Sequence, residues 1–181
     1  MIRIFAQGAA VALALMAGGV ALANVLPNTK PDASGIVFAN VSIAVSDLDK
    51  SAAFYKALGF EVGAKSLIPG PLLTHALGSK DAARMEMLFV RRDGMVLELI
   101  QLTPLPKPVA IGGPGEHLGL AHIAFRVDDV DRIAGIVKEN GGTVIDATRA
   151  KVGSPGPGQG IDVLFCTDPD GTLMEISAPL K

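Results

Sequence analysis

With one cysteine, Cys166, the chain can form no disulfide within itself, so packing and hydrogen bonding must hold it together. Cys166 stands in the apolar run Val163–Cys166, the surroundings of a buried inert thiol rather than a nucleophile. An excess of one charge sign is also missing. Removal of Met1–Ala23 would take away Arg3 alone among the charges, leaving 18 acidic against 15 basic residues. So mild an acidic balance argues against a nucleic-acid surface and leaves no polybasic patch for a membrane. No G-x-x-x-x-G-K-S/T signature occurs, and Gly156-Pro157-Gly158 has no helix pattern after it, which excludes a phosphate-binding loop. No Ser/His/Asp arrangement with a recognisable local context occurs either.

The N-terminus carries one cation, Arg3, then an apolar run to about Ala21 and a small-x-small site, Ala21-Leu22-Ala23. This layout predicts a signal peptide over 1–23, and hence an exported, bacterial periplasmic protein. An uncleaved anchor is the alternative, because Ile4 to Leu26 is long enough to cross a bilayer. No cysteine near the site would take a lipid. Residues 24–36 read as an exposed lead-in, and the remaining length suits one domain with its own core.

Within that domain two stretches repeat. Asn40-Val-Ser-Ile-Ala-Val-Ser-Asp47 aligns with His122-Ile-Ala-Phe-Arg-Val-Asp-Asp129 at an offset of 82, which holds through Leu58–Val62 and Asn140–Val144. Asp93-Gly94-Met-Val-Leu-Glu98 returns as Asp170-Gly171-Thr-Leu-Met-Glu175 at an offset of 77. Self-similarity of this length marks a duplicated unit. The boundaries it suggests are unit one at 37–102, a Pro/Gly-rich linker at 103–117 and unit two at 118–181.

Each unit begins with a strand, since Val41, Ile43 and Val45, and later Ile123, Phe125 and Val127, alternate with other residues. Asp47 is placed to cap a helix from Leu48 to about Leu58, with Gly59 as its stop. In unit two Val130, Ile133, Ala134 and Val137 form the stripe of a helix packed on one side, and Gly141 ends it. Strands follow at Phe60–Ala64, Met85–Arg92 and Met95–Leu102, then at Thr143–Ala147, Ile161–Thr167 and Thr172–Ala178. Leu67–Arg84, with Pro69, Gly70 and Pro71, reads as a loop or short helix over the pocket. Val152–Gly160 reads as a loop that could serve as a lid.

The alternation dictates where the polar residues point. If the β-branched face covers the helix, Asn40 and His122 project to the opposite side of the sheet. Glu98 shares its face with Val96 and Ile100, and Glu175 with Leu173 and Ser177. A lone Glu on a strand ordinarily faces solvent, and a lone His is ordinarily a satisfied surface residue. The duplication changes this, because Glu98 and Glu175 hold the same place in both units, as do Asn40 and His122. One imidazole and two carboxylates suit a divalent metal with nitrogen and oxygen ligands.

Val45-Ser46-Asp47 with Ser51–Tyr55 and Leu58-Gly59-Phe60, then His122–Phe125 and Asp168-Pro169-Asp170-Gly171 with Glu175, make the chain resemble the vicinal oxygen chelate superfamily. That superfamily includes lactoylglutathione lyases, methylmalonyl-CoA epimerases, extradiol dioxygenases and bleomycin and fosfomycin resistance proteins. The resemblance runs from about Val37 to Ala178. It implies an α+β fold of two tandem βαβββ units, a curved mixed sheet around a concave pocket with the helices outside. It also implies that the first and last strands of each unit supply metal ligands, here Asn40, Glu98, His122 and Glu175. Asn40 is a departure, since His or Gln is usual there and the shorter Asn amide is a weak ligand. An extradiol dioxygenase is disfavoured, because its Fe(II) needs two His and one carboxylate.

The expected function is a metal-dependent lyase or isomerase, glyoxalase-like, acting on a small oxygenated organic substrate. Zn, Ni, Mn or Fe would bind at Glu98, His122 and Glu175, and Glu98 or Glu175 would move a proton. Arg126, four residues after His122 and so on the same side, would hold a substrate anion at the rim, and His75 would lie over the pocket. His117, in the linker, is a second candidate proton shuttle. The alternative is a metal-free protein that sequesters a small molecule of the antibiotic type, which Asn40 favours. A homodimer is compatible with either reading.

Overall fold

The computed structural model describes residues 35–36, 38–70, 73, 83–107, 118–154 and 159–180. The expected signal segment, His75 and His117 lie outside these residues. The chain divides into two compact units, the first comprising residues 1–52 and 60–107 and the second residues 53–59 and 108–181. No helix among the described residues is long and apolar enough to cross a membrane.

In the first unit β1 (Val41–Ala44) is followed by α1 (Leu48–Ala57), β2 (Glu61–Val62), β3 (Ser66–Pro69), β4 (Arg84–Arg92) and β5 (Met95–Thr103). The sheet runs β1-β5-β4-β2, with β3 also pairing β4. β1 lies parallel to β5, and the other pairings are antiparallel. Asp47 starts α1 as expected, its Oδ1 accepting from the N–H groups of Asp49 and Lys50 at 3.0 Å each. The helix ends at Gly59, whose φ of +86° a side chain would resist. β4 and β5 are joined by Asp93-Gly94, both at positive φ, the two-residue turn whose twist matches an antiparallel pair.

The second unit repeats the order with β6 (Ile123–Arg126), α2 (Val130–Glu139), β7 (Thr143–Val144), β8 (Ala150–Gly153), β9 (Gly160–Thr167) and β10 (Leu173–Pro179). Its sheet runs β6-β10-β9-β7, with β8 also on β9 and β6 parallel to β10. Asp129 caps α2 by accepting from the Arg132 N–H at 3.0 Å, and Val130, Ala134 and Val137 are its buried stripe. That stripe packs on β9 and β10, whose inward residues Leu164, Cys166, Met174 and Ile176 are nearly inaccessible.

The expected fold class holds: α+β, two repeated units, each a mixed sheet with a helix. Each unit also carries one strand more than the pattern indicates, β3 overlapping the start of the Leu67–Arg84 stretch and β8 the start of the Val152–Gly160 loop. The boundary between the units differs as well. Residues 53–59 of α1 group with the second unit, where Phe54 and Tyr55 are buried and their rings meet edge to face at 5.3 Å. There the Tyr55 hydroxyl donates to Oδ2 of Asp168 at 3.0 Å. Asp168 Oδ1 accepts from the backbone N–H groups of Asp170 and Thr172, closing the turn before β10.

Candidate functional site

Two half-sites stand at equivalent places in the two units. In the first, the parallel β1–β5 pairing sets Ser42 opposite Glu98; in the second, β6–β10 sets Ala124 opposite Glu175. Those are equivalent positions under the offsets of 82 and 77, so the register confirms the duplication at the level of individual side chains. Asn40 and His122 each stand two residues earlier, diagonal to their carboxylate.

The second half-site brings His122 Nε2 to 3.5 Å from Glu175 Oε2, with about a third and a quarter of the two side chains exposed. Phe165 is the cross-strand partner of Glu175, and its ring meets the His122 imidazole edge to face at 5.3 Å. Arg126 lies on the same face further along β6, exposed and opposite Ser177.

The first half-site is built differently. Asn40 Nδ2 donates to Glu98 Oε2 at 2.9 Å and to Ser42 Oγ at 3.2 Å, and the Ser42 hydroxyl donates to the same Glu98 oxygen. One carboxylate oxygen thus accepts from two uncharged donors. Phe89 stands opposite Glu98, as Phe165 does opposite Glu175. Below it lies an apolar cluster of Ile68, Leu73, Met85 and Met87, against which Phe89, Ile100 and Leu102 pack half-buried.

These groups can be tested against a divalent ion. Two ligands at 2.0–2.1 Å from a tetrahedral ion stand about 3.4 Å apart. The 3.5 Å between His122 and Glu175 fits that spacing and is long for a charge-assisted hydrogen bond. Asn40, at 2.9 Å and turned with its amide N–H toward the carboxylate, is placed as a donor to Glu98. Among the described residues, no group of three or more His, Cys, Asp or Glu side chains is arranged to hold a metal. The structure therefore brings Asn40 to Glu98, and His122 to Glu175.

Sequence reasoning passed over Ser42 and Phe165. Ser42 was open to detection, since it lies two residues after Asn40 on one face, whereas the offset of 77 aligns Phe89 with Cys166 and so conceals Phe165. It also passed over Arg149, which pairs with Asp131 of α2 and with Asp162 of β9 at 2.7 Å. Its guanidinium hydrogen-bonds hold both carboxyls below their ordinary range. A cavity of about 240 Å³ beside them is lined by Asp129, Asp131, Arg149, Lys151 and Asp162, among other residues, and contains none of the predicted site residues. Burial pushes the Cys166 thiol up to about 12, which keeps it protonated and unreactive, as its apolar run predicts.

The family model described as Glyoxalase/Bleomycin resistance protein/Dioxygenase superfamily matches residues 37–176. No curated protein matches the chain. Among solved structures, a glyoxalase family protein from Bacillus cereus is 18% identical with a TM-score of 0.64, covering 83% of this chain and 100% of that one. Another glyoxalase family protein, from Enterococcus faecalis, is 23% identical with a TM-score of 0.51, covering 76% and 94%. At these identities the likeness concerns the fold alone.

Proposed function

Because the chain belongs to the glyoxalase/bleomycin resistance protein/dioxygenase superfamily, we propose that it is an exported, metal-dependent lyase or isomerase acting on a small oxygenated organic substrate. The observation that carries this reading is the 3.5 Å approach of His122 Nε2 to Glu175 Oε2, a ligand-like spacing at the position the repeat marks out. Glu98, His122 and Glu175 would hold the ion. When bound, it would polarise adjacent oxygens of a substrate and stabilise negative charge that develops on them.

The chain's own residues divide the remaining work. Glu98, whose Oε2 accepts from Asn40 and Ser42, is held in orientation and would serve as a ligand. Glu175, with Ala124 rather than a donor opposite it and His122 3.5 Å away, would move a proton at the substrate carbon. The Phe165 ring packs against His122, and the half-buried Phe89 stands opposite Glu98. Exposed Arg126, on the face of His122, would receive a substrate anion.

A metal-free binding protein is the second reading. The observation favouring it is that Glu98 is satisfied by Asn40 and Ser42 without any cation. An extradiol dioxygenase is the weaker alternative, because Asn40 stands where its second His would be.

Metal analysis by elemental mass spectrometry separates the two main readings. The protein purified from its own cells without chelators should carry about one divalent ion per chain, lost in Glu175→Ala, as a site of three protein ligands requires. No metal, even after incubation with excess Zn, Ni, Mn and Fe(II), would reject the enzyme reading in favour of sequestration. Once a substrate is found, Glu175→Gln should lower kcat by about 100-fold or more with the fold intact.

A further inference from the structure

We propose that Asn140 is a self-modification site, deamidated by the backbone nitrogen of Gly141 when the turn that ends α2 opens, and shielded while that turn is closed.

The chain holds four asparagines. Asn24, Asn28 and Asn40 precede Val25, Thr29 and Val41, whose β-branched side chains crowd the peptide nitrogen between the two residues. Asn140 alone precedes a glycine, which leaves that nitrogen open to the side chain before it. In the reaction the Gly141 nitrogen gives its proton to solvent and attacks Cγ of Asn140. The new N–Cγ bond closes a cyclic imide, and Nδ2 takes up a proton and leaves as ammonia. Water then opens the ring at either carbonyl. One product is aspartate, the other isoaspartate with the main chain rerouted through Cγ.

The folded geometry withholds each part of this step. The Gly141 N–H donates to the Lys138 carbonyl at 3.2 Å, and the Gly142 N–H to the Val137 carbonyl at 2.9 Å. These are the paired bonds by which a helix closes on a left-handed glycine, here Gly141 at φ +87°. The nucleophile is therefore engaged. So is the leaving group, because Asn140 Nδ2 donates to the Ile136 carbonyl at 2.8 Å, drawing the side chain back toward the helix. Ring closure also needs Cβ and the Gly141 nitrogen eclipsed about the Cα–C bond, and at ψ 16° they stand well apart. All three restraints belong to one turn, so its opening releases them together.

The product closes that turn less well. Aspartate or isoaspartate has no amide to donate to Ile136, and it sets a negative charge at a helix C-terminus, where the free carbonyls already concentrate negative potential. Loss of ammonia makes the change one-way. Each opening that reacts thus weakens every later closure, next to the fully buried Val137.

The test holds the full chain at mildly alkaline pH in heavy-oxygen water, folded or in urea, and then digests it with trypsin in ordinary water. Peptide 139–149 should gain label and isoaspartate at least about tenfold faster in urea than in the folded chain, as a step that needs local opening requires. Val137→Ala keeps the Asn140-Gly141 pair but leaves a cavity under the turn. It should speed labelling of the folded chain by about threefold or more, as should urea below the unfolding transition if that variant does not fold. The deamidated protein, separated by anion exchange, should melt below the intact one.

Equal rates in urea and in the folded chain overturn the shielding. No label in peptide 139–149 in urea, or label at Asn24, Asn28 and Asn40 as fast as at Asn140, overturns the site itself. A folded-chain rate that neither Val137→Ala nor urea below the transition raises overturns the gating by the turn, and an unchanged melting temperature overturns the weakened closure.

Discussion

Asn40 and Tyr55 each owe their setting to one carboxylate. Asn40→His would put an imidazole where the amide now serves as a donor. The added ligand should outweigh the lost hydrogen bond and tighten Co(II) binding by at least about tenfold, or about 1.4 kcal/mol. Tyr55→Phe should act on stability instead. It removes the hydroxyl that Asp168 Oδ2 accepts from inside the second unit, at a cost of about 1–3 kcal/mol read from the urea midpoint at constant slope.

That cost should depend on pH. Burial first, against the Tyr55 and backbone hydrogen bonds, raises the Asp168 carboxyl above its ordinary value. The folded state then binds this proton more readily than the unfolded state, so ionising Asp168 removes stability as pH rises through the raised value. Without the Tyr55 donor the carboxyl rises further. The Tyr55→Phe loss should therefore be larger at pH 7 than below the ordinary carboxylate range, and equal losses would contradict this account. At this scale Asn40, Glu98, His122 and Glu175 were legible because the repeat selects them and alternation assigns their face. Tyr55 was not, since its partner lies 113 residues away and neither residue stands out in a local pattern.

Helices and turns were the most legible elements. Asp47 caps as its position predicts, and Gly59 and Gly141 stop the helices. The strands β3 and β8 were not legible, for different reasons. β3 ends on Pro69, which pairs at the margin of β4 opposite Arg84, and in sequence a proline argues against a strand. All four residues of β8 are exposed, so no alternation of apolar residues reveals it.

Two elements give further predictions. Gly142, between α2 and β7, has no room for a side chain. A Cβ there would come within 2.7 Å of Val137 Cγ1 and 2.9 Å of Phe54 Cε2, and would press on the Thr167 carbonyl oxygen. Gly142→Ala should cost about 1–3 kcal/mol in urea unfolding, the usual range for overpacking. Arg149 joins the start of α2 to β9 through Asp131 and Asp162. Both carboxyls are depressed in the folded state, so the linkage contributes stability at and above the ordinary carboxylate range and loses it as pH falls through the depressed values. Arg149→Gln should lower the melting temperature at pH 7, and the gap to wild type should close as the pH drops below that range.

For the molecule as a whole, the sequence repeat and the compact units do not share a boundary. The repeat divides the chain near residues 103–117, whereas residues 53–59, from the first repeat, group with the second unit. Self-similarity reports descent; contact grouping reports which residues exclude water together, and the apolar pattern of α1 is the same whichever unit covers it. Residues 118–181 produced alone would lack Phe54 and Tyr55, and with them the donor to Asp168. That fragment should show little folded signal by circular dichroism. A peptide spanning 48–59, supplied in trans, should recover part of it.

The hydrogen bond from Tyr55 to Asp168 also fixes an order in time. A ribosome adding roughly 5–20 residues per second finishes the stretch between them on the order of ten seconds after Tyr55 is made. Through that interval the second unit has its helix end but not the strands that cover it. The buried tyrosine must stay open to water until Asp168 is made, so a contact begun in α1 is closed only 113 residues later.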